Sequence, residues 1–161
     1  MRINIEADEH IIASLPKIWE TEPGLMGFFT KSREGILVLT TKKIAFVPKF
    51  VYVTPAEREK YFGRDEAKVT RLDNYSEVQL DEDLGEQSKS SKVPLKSIVD
   101  VETVKLRNVN FLRITFRNQD GKIRKYDFGI TKSVTNYPIR QPMLFYNLNW
   151  DAWVKLIKAY L

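Results

Sequence analysis

The sequence has no cysteine among its 161 residues, which excludes a disulfide framework, a reactive thiolate and a zinc–thiolate site. Histidine occurs once, as His10, so histidine-based catalysis or metal binding has a single candidate without a partner nearby in sequence. The seven glycines are scattered and form no phosphate-binding loop. We therefore expect no catalytic residues, no metal and no cofactor, and predict that the protein is not an enzyme.

Long apolar runs are also missing. No window reaches the roughly 18 consecutive apolar residues that a membrane-spanning helix requires. The first ten residues, MRINIEADEH, are too polar and acidic for a signal peptide. The expected location is the cytoplasm, with at most a peripheral association with a membrane.

Apolar and basic side chains, by contrast, are plentiful. A hydrophobic fraction of 43% and a charged fraction of 29% are typical of a globular protein, and the length fits one domain, residues 1–161. The net charge is +5, yet residues 55–91 carry ten acidic and six basic side chains, so the rest of the chain is more basic still. A basic body with an acidic insertion favours an acidic or polyanionic partner, with solubility as the alternative explanation.

The stretch Gly35–Val47, GILVLTTKKIAFV, predicts a central hairpin. Two short apolar segments flank four polar residues, which is typical of two strands joined by a tight turn, here at Thr41 and Lys42. This turn gives two facing pairs of core residues, Leu39 with Ile44 and Leu37 with Phe46. Because both faces of the hairpin are apolar, we expect it to be covered on both sides.

A second hairpin is predicted for Phe111–Ile130. A two-residue loop would set apolar residues opposite charged ones. A three-residue loop, Gln119–Gly121 with Gly121 in the left-handed region, sets apolar opposite apolar and Arg113 opposite Asp127 on a solvent-facing side. The predicted core face consists of Leu112, Ile114, Phe116, Tyr126, Phe128 and Ile130.

Pro16 interrupts the first apolar segment, Asp8–Thr21. The proline favours an irregular or bulged edge strand, and a short helix capped by Asp8 is the alternative. A Pro-Gly turn follows, and then apolar residues lie beside bases, which suits a loop that enters an anionic headgroup layer. The alternative is that Phe28 and Phe29 begin the next strand and point into the core. The candidate lipid- or anion-binding residues are Lys17, Leu25, Met26, Phe28, Phe29, Lys31 and Arg33.

Residues 54–92 are predicted to form a helical and acidic insertion. Thr54, Pro55 and Glu57 make a capping box for a helix that runs to about Phe62 and stops at Gly63, with a resumption through Lys68 as a further option.

The acidic part of the insertion, residues 73–86, holds six acids and no base and predicts a solvated surface stretch with a short helix from Ser76. Asp81, Glu82 and Asp83 are the candidate partner-binding residues. Residues 86–92 predict a flexible link.

The C-terminal region predicts a short strand and a helix. Pro138 and Pro142 exclude a helix over residues 131–149, within which Met143–Tyr146 fits a last strand. Asn147 or Asn149 then caps an amphipathic helix. The apolar stripe of this helix, which we expect to cover the core, consists of Trp150, Trp153, Val154, Ile157 and Leu161.

In this order the elements resemble a pleckstrin-homology-like domain, and within that superfamily the GRAM and GLUE domains. The matching stretches are Gly35–Phe46 with its Thr40 and Lys43, Pro94–Ile98, the hairpin around Asp120–Gly121, and the tryptophan-bearing C-terminal helix. The resemblance implies a mainly β fold, an antiparallel and partly open barrel or sandwich capped by the C-terminal helix and carrying the helical acidic insertion.

The resemblance also implies a non-catalytic adaptor that binds proteins or lipid headgroups. Headgroup sites of such domains lie in the loop between the first two strands, here at Lys31–Arg33, with Lys17 as a companion. The leading hypothesis is a protein-interaction module; peripheral binding to anionic membranes is the alternative. Self-association through a spare sheet face or Met143–Tyr146 is a third. Nucleic-acid binding is disfavoured because Phe116, Tyr126 and Phe128 alternate away from the strand bases.

Overall fold

The computed structural model describes residues 3–22, 33–86, 90–136 and 140–161. The described residues form eight strands and three α-helices, together with short 3-10 turns at Gly63–Asp65 and Leu95–Ser97. The strands are β1 Ile11–Thr21, β2 Arg33–Thr40, β3 Lys43–Val47, β4 Ser91–Pro94, β5 Ile98–Leu106, β6 Val109–Arg117, β7 Ile123–Thr135 and β8 Gln141–Phe145. The helices are α1 Pro55–Phe62, α2 Glu77–Glu86 and α3 Asp151–Ala159.

All strand pairs are antiparallel, and the sheet order is β4-β3-β2-β1-β7-β6-β5, with β8 added to β7. The predicted fold class is therefore confirmed. The prediction of an edge position for β1 is wrong, because β1 pairs with β2 on one side and with β7 on the other. Pro16 is accommodated there because it falls in the register shift between Leu15 and Ile18, where a residue without an N–H breaks no ladder.

Both predicted hairpin registers are confirmed. In β2–β3, Leu37 lies opposite Phe46 and Leu39 opposite Ile44. In β6–β7, the loop has three residues and Gly121 adopts a φ of +83°. The facing pairs of that hairpin are Leu112–Phe128, Ile114–Tyr126 and Arg113–Asp127.

The Arg113–Asp127 pair is not solvent-facing as predicted. Asp127 is fully buried, and its two carboxylate oxygens accept hydrogen bonds from Arg113 Nε and Nη2 at 2.8 and 2.9 Å. Such a two-point contact fixes the register of the hairpin and satisfies the buried charge at once.

The two faces of the central sheet have different covers. On the inner face, the Phe46 ring lies 6.2 Å from that of Phe128, so β3 and β7 meet across the barrel core. On the outer face, Ser14 pairs with Val38, and the Ser14 hydroxyl accepts a 2.7 Å hydrogen bond from the Leu72 N–H of the insertion. The insertion thus covers the outer face, as the apolar pattern of the hairpin requires.

The insertion is more ordered than the sequence suggests. The capping box on α1 forms as predicted, but after Gly63 the chain makes a 3-10 turn instead of resuming the helix, with Arg64 in a left-handed conformation. Helix α2 begins next to Ser76, as predicted, and buries Leu80 and Leu84. Of the predicted flexible link, residues 87–89 lie outside the described parts, and Ser91 and Lys92 belong to β4.

Helix α3 packs against β5 and completes the core. Trp150, Trp153 and Ile157 are buried, as predicted, whereas Leu161 lies beyond the helix end and is exposed. The indole N–H of Trp150 donates to the carbonyl of Asn110, and that of Trp153 to the carbonyl of Lys68. The helix therefore ties the sheet to the insertion.

Among the predicted core residues, Phe116 is buried and Tyr126 is partly buried. Within the described ranges no helix is long and apolar enough to cross a membrane.

Candidate binding surfaces

Five of the seven predicted lipid-binding residues lie outside the described parts of the chain. They are Leu25, Met26, Phe28, Phe29 and Lys31. Of the seven candidates, the structure places Lys17 and Arg33.

Arg33 is partly buried and makes contacts within the fold. Its guanidinium donates to the buried carboxylate of Glu20 and, at 2.9 Å, to Ser91 Oγ, and it lies over the ring of Phe46. Burial raises the pKa of Glu20, and the hydrogen bond from Arg33 offsets part of that rise. Arg33 thus links β1 to β4 through Glu20 and Ser91, and its role in headgroup binding stays a prediction.

Asp81 and Asp83, two of the predicted partner-binding acids, are occupied within the molecule. The carboxylate of Asp81 accepts from the N–H groups of Ile3, Asn4 and Ile5 at 3.0, 2.6 and 3.0 Å. Burial acts to raise the pKa of Asp81, but these three donors outweigh it, so the pKa lies below its ordinary value.

Asp83 is also satisfied internally. It accepts from the hydroxyl of Tyr75 at 2.9 Å and from Lys49 Nζ at 3.3 Å. Burial, together with the neighbouring carboxylate of Asp83, raises the pKa of Tyr75. Asp81 and Asp83 thus hold the fold together, and Glu82, which is exposed, keeps the predicted role as a proposal.

A groove that the sequence did not indicate runs between the β2–β3 turn, the β4–β5 connection, the β6–β7 loop and the C-terminal residues. It consists of two adjoining depressions of 660 and 1040 Å³ that share Lys43, Pro94 and Lys96. We call it the basic groove, because its lining includes Lys42, Lys43, Lys92, Lys96 and Arg117. Two acids, Glu6 and Asp120, also line it.

The β2–β3 turn at one end of the groove is rigidly organised. Thr40 Oγ1 accepts from the N–H groups of Lys42 and Lys43 and donates to the buried carboxylate of Glu9. Burial acts to raise the pKa of Glu9, but hydrogen bonds led by that of Thr40 lower it below its ordinary value. The N–H of Leu95 donates to the carbonyl of Lys42, which fixes the β4–β5 connection beside the turn.

The lysines of the groove differ in their partners. Lys43 pairs with Glu9 at 3.1 Å, and Lys42 lies 3.7 Å from Glu6 and 3.6 Å from Asp8. Lys92 and Lys96 are exposed, and within the described ranges neither belongs to an ion pair. Lys92 and Lys96 therefore line the groove without an ion-pair partner among the described residues.

The other placed candidate, Lys17, lines a separate small pocket of 290 Å³ on the outer surface. We call it the Lys17 pocket. Its lining comprises Lys17, Val53, Thr54, Pro55, Arg58, Phe62, Thr131, Lys132 and Tyr146. Lys17 is therefore grouped with cations of α1 and β7, and not with Arg33 as the sequence suggested.

The sequence carried one usable signal for the groove. Lys92 and Lys96 flank Pro94 and Leu95, and Lys42 and Lys43 occupy a predicted turn. Joining these two sites requires the β3–β4 register, in which Lys43 lies opposite Pro94 across the 43-residue interval from β3 to β4. No local pattern encodes that pairing.

In the described part of the chain, no three His, Asp or Glu side chains come together closely enough to hold a metal ion. The hydrogen-bonded carboxylates described above serve the fold.

No protein-family model and no curated protein matches the chain. Among solved structures, the chain is similar to one described as the Vps36 N-terminal PH domain, with 11% identity over 80% of this chain and 72% of that chain and a TM-score of 0.44. Such a likeness concerns the fold alone and does not assign the chain to a family, so membership of the GRAM or GLUE domains stays a prediction.

Proposed function

We propose that this chain is a non-catalytic interaction module that binds an acidic segment of a partner protein in the basic groove. The observation that carries the proposal is the pair of exposed lysines without an ion-pair partner among the described residues, Lys92 and Lys96, beside the Leu95–Lys42 hydrogen bond that fixes the β4–β5 connection. A preformed groove with one dominant sign of charge attracts an oppositely charged segment and steers its approach.

The shape of the groove favours an extended chain over a compact solute. Its two depressions continue into each other through Lys43, Pro94 and Lys96, and Tyr160 and Leu161 add half-exposed apolar surface at one end. An acidic segment that ends in an apolar residue matches this order of bases and apolar surface.

The test uses a fluorescent oligoglutamate peptide and measures its binding by anisotropy at low and at physiological salt. We expect the double substitution Lys92→Glu and Lys96→Glu to weaken binding about tenfold or more, and the affinity of the unsubstituted protein to fall with added salt. The matched control is Lys155→Glu with Lys158→Glu, which changes the net charge equally on the exposed side of α3.

Two outcomes contradict the proposal. One is an equal loss of affinity in the α3 control, which shows a general charge attraction. The other is no binding of the peptide by the unsubstituted protein at low salt.

The alternative function is peripheral binding to an anionic membrane through residues between β1 and β2 that lie outside the described ranges. Its support is the sequence order of Leu25, Phe28 and Lys31, in which apolar residues lie beside a base. Arg33 adds less to this argument, because its guanidinium donates to Glu20. Co-sedimentation with anionic liposomes that is abolished by Phe28→Ser with Lys31→Ala, and unaffected by the groove double substitution, would favour this alternative over the proposal.

A further inference from the structure

Lys17 has an unusual backbone conformation for a lysine. It follows Pro16 in the β1 bulge and has a φ of +60°, in the left-handed region that side-chain-bearing residues rarely adopt. Bulges re-aim a side chain relative to its strand, and strained residues of this kind cluster at functional sites. Here the bulge brings Lys17 to the wall of a pocket, although its neighbours Leu15 and Ile18 are fully buried.

Arg58 is held in the same pocket by aromatic rings. Its guanidinium carbon lies 4.7 Å from the centre of the Tyr146 ring and 5.5 Å from that of Phe62, and the two ring centres are 5.3 Å apart. Cation–π contacts orient a guanidinium without consuming its N–H donors. The donors at its edge therefore stay available to an anion.

The third cation of the pocket is Lys132, which is exposed on β7. Among the described residues, the lining contains no carboxylate and none of the three cations forms an ion pair. Three like charges that line one pocket of 290 Å³ repel one another, and a bound anion reduces that repulsion. The Lys17 ammonium lies 5.9 Å from the centre of the Phe50 ring, which does not line the pocket.

We propose that the Lys17 pocket binds the phosphate monoester group of a small soluble phosphate or of a lipid headgroup. A phosphate dianion offers several strong acceptors to a planar arginine and two flexible lysines, whereas a carboxylate has two oxygens and a single charge. The small volume suits a compact group, in contrast to the extended basic groove.

The pocket should prefer the doubly charged form of the phosphate, so the binding affinity should depend on pH. The second pKa of a phosphate monoester is about 6, and lysine and arginine stay charged throughout the neutral range. Affinity should therefore rise between about pH 5 and pH 7 without any histidine in the pocket.

The test has two arms that separate the sources of the phosphate. In the first, glycerol 3-phosphate is titrated into the ¹⁵N-labelled protein and amide shifts are followed by NMR. In the second, the protein is sedimented with phosphatidylcholine vesicles that contain phosphatidic acid or, at the same mole fraction, phosphatidylserine. Shifts centred on Lys17, Arg58 and Lys132 identify a soluble ligand, and a preference for phosphatidic acid over phosphatidylserine identifies a headgroup; either result supports the proposal.

Exposed positions provide variants that should fold. Arg58→Gln and Lys132→Gln are each expected to weaken phosphate binding about tenfold, and Arg58→Lys should weaken it less than Arg58→Gln because it keeps the charge but not the planar donor edge. Lys155→Gln on α3 is the matched control and should leave binding unchanged. Arg58→Gln and Lys132→Gln should leave oligoglutamate binding in the basic groove unchanged, so a failure of one proposal can be told apart from a failure of the other.

The proposal is overturned if the NMR titration shows no shifts at Lys17, Arg58 and Lys132 and the vesicles either do not bind or respond equally to both acidic lipids. It is also overturned if the shifts centre on the basic groove, or if Lys155→Gln weakens binding as much as Arg58→Gln.

Discussion

Asp81 is buried, although aspartate is mostly found on protein surfaces, and it connects two distant segments of the chain. Its side chain joins the segment Ile3–Ile5 to α2 across more than seventy residues of sequence, through three backbone donors. The three N–H groups are the main stabilisers of its ionised form, and the charge of the chain's N-terminus adds to them.

We expect Asp81→Asn to destabilise the fold at neutral pH by about 1.5–3 kcal/mol, the range for hydrogen bonds to a charged group. The pKa of Asp81 is lowered in the folded state, so its carboxylate contributes stability above the ordinary value of about 3.9, and that contribution is lost as the pH falls through the folded-state pKa. Urea unfolding at several pH values should therefore show the wild-type and variant curves converging in acid.

The neighbouring exposed residue provides the control for this experiment. Glu82→Gln should change the free energy of unfolding by less than about 0.5 kcal/mol at every pH. A constant difference between Asp81→Asn and wild type from neutral to acid pH would refute the anchoring role of the charge.

At the scale of elements, the β2–β3 hairpin depends on a glycine at its entrance. A Cβ on Gly35 would lie 2.1 Å from the carbonyl oxygen of Val47 and 2.7 Å from the Phe46 ring, so backbone would have to move. At Gly63 the nearest atom to such a Cβ is Glu59 Cδ at 2.7 Å, at the end of a flexible exposed side chain.

Gly35→Ala should therefore lower the free energy of unfolding by about 3 kcal/mol or more, and Gly63→Ala by less than about 0.5 kcal/mol. Both variants can be compared by urea unfolding followed with circular dichroism. If Gly35→Ala and Gly63→Ala lowered the free energy of unfolding equally, β2 and β3 would have room to separate, which contradicts their close packing.

Elements that a pattern of neighbouring residues encodes were predictable from the sequence, and features that depend on distant contacts were not. The capping box at Thr54 and the parity of the β6–β7 loop each lie within a few residues of sequence, so α1 and the Arg113–Asp127 register followed directly. The burial of Asp127 depends instead on what packs over the strand pair, which hydrophobic alternation cannot show.

One hairpin was missed for a related reason. The turn between β5 and β6 uses Arg107 and Asn108, both at positive φ, and only the asparagine is a residue that favours such a turn. The candidate sites were harder still, because the cations of the Lys17 pocket come from three elements that meet through the tertiary fold alone.

At the scale of the whole molecule, the insertion is part of the core. It covers the outer sheet face that carries Ile36, Val38, Ala45 and Val47, all of them buried, and it receives the indole hydrogen bond of Trp153. The acidic composition of this segment had indicated a solvated excursion instead.

Replacing residues 50–89 with a short Gly-Ser linker tests that difference. The ends can be joined because Phe46 pairs with Ser91. We expect the shortened chain to lose cooperative unfolding and to aggregate in light scattering, because the outer face would be exposed to water. A control that keeps the insertion but carries Glu82→Gln and Glu86→Gln should stay cooperative; a cooperative, monomeric deletion variant would contradict the core role.

The pairing of β1 with β7 has a consequence for how the chain acquires its structure. Ile18 meets Ile130, and Thr21 meets Asp127, so the two halves of the sheet join through residues more than a hundred positions apart. During synthesis β1, β2 and β3 emerge from the ribosome well before β7. One hydrogen-bonding edge of β1 therefore stays unpaired until β7 has been made. Loop-closure entropy makes such long-range pairing slow, and the unpaired edge of β1 is where premature association between nascent copies would begin.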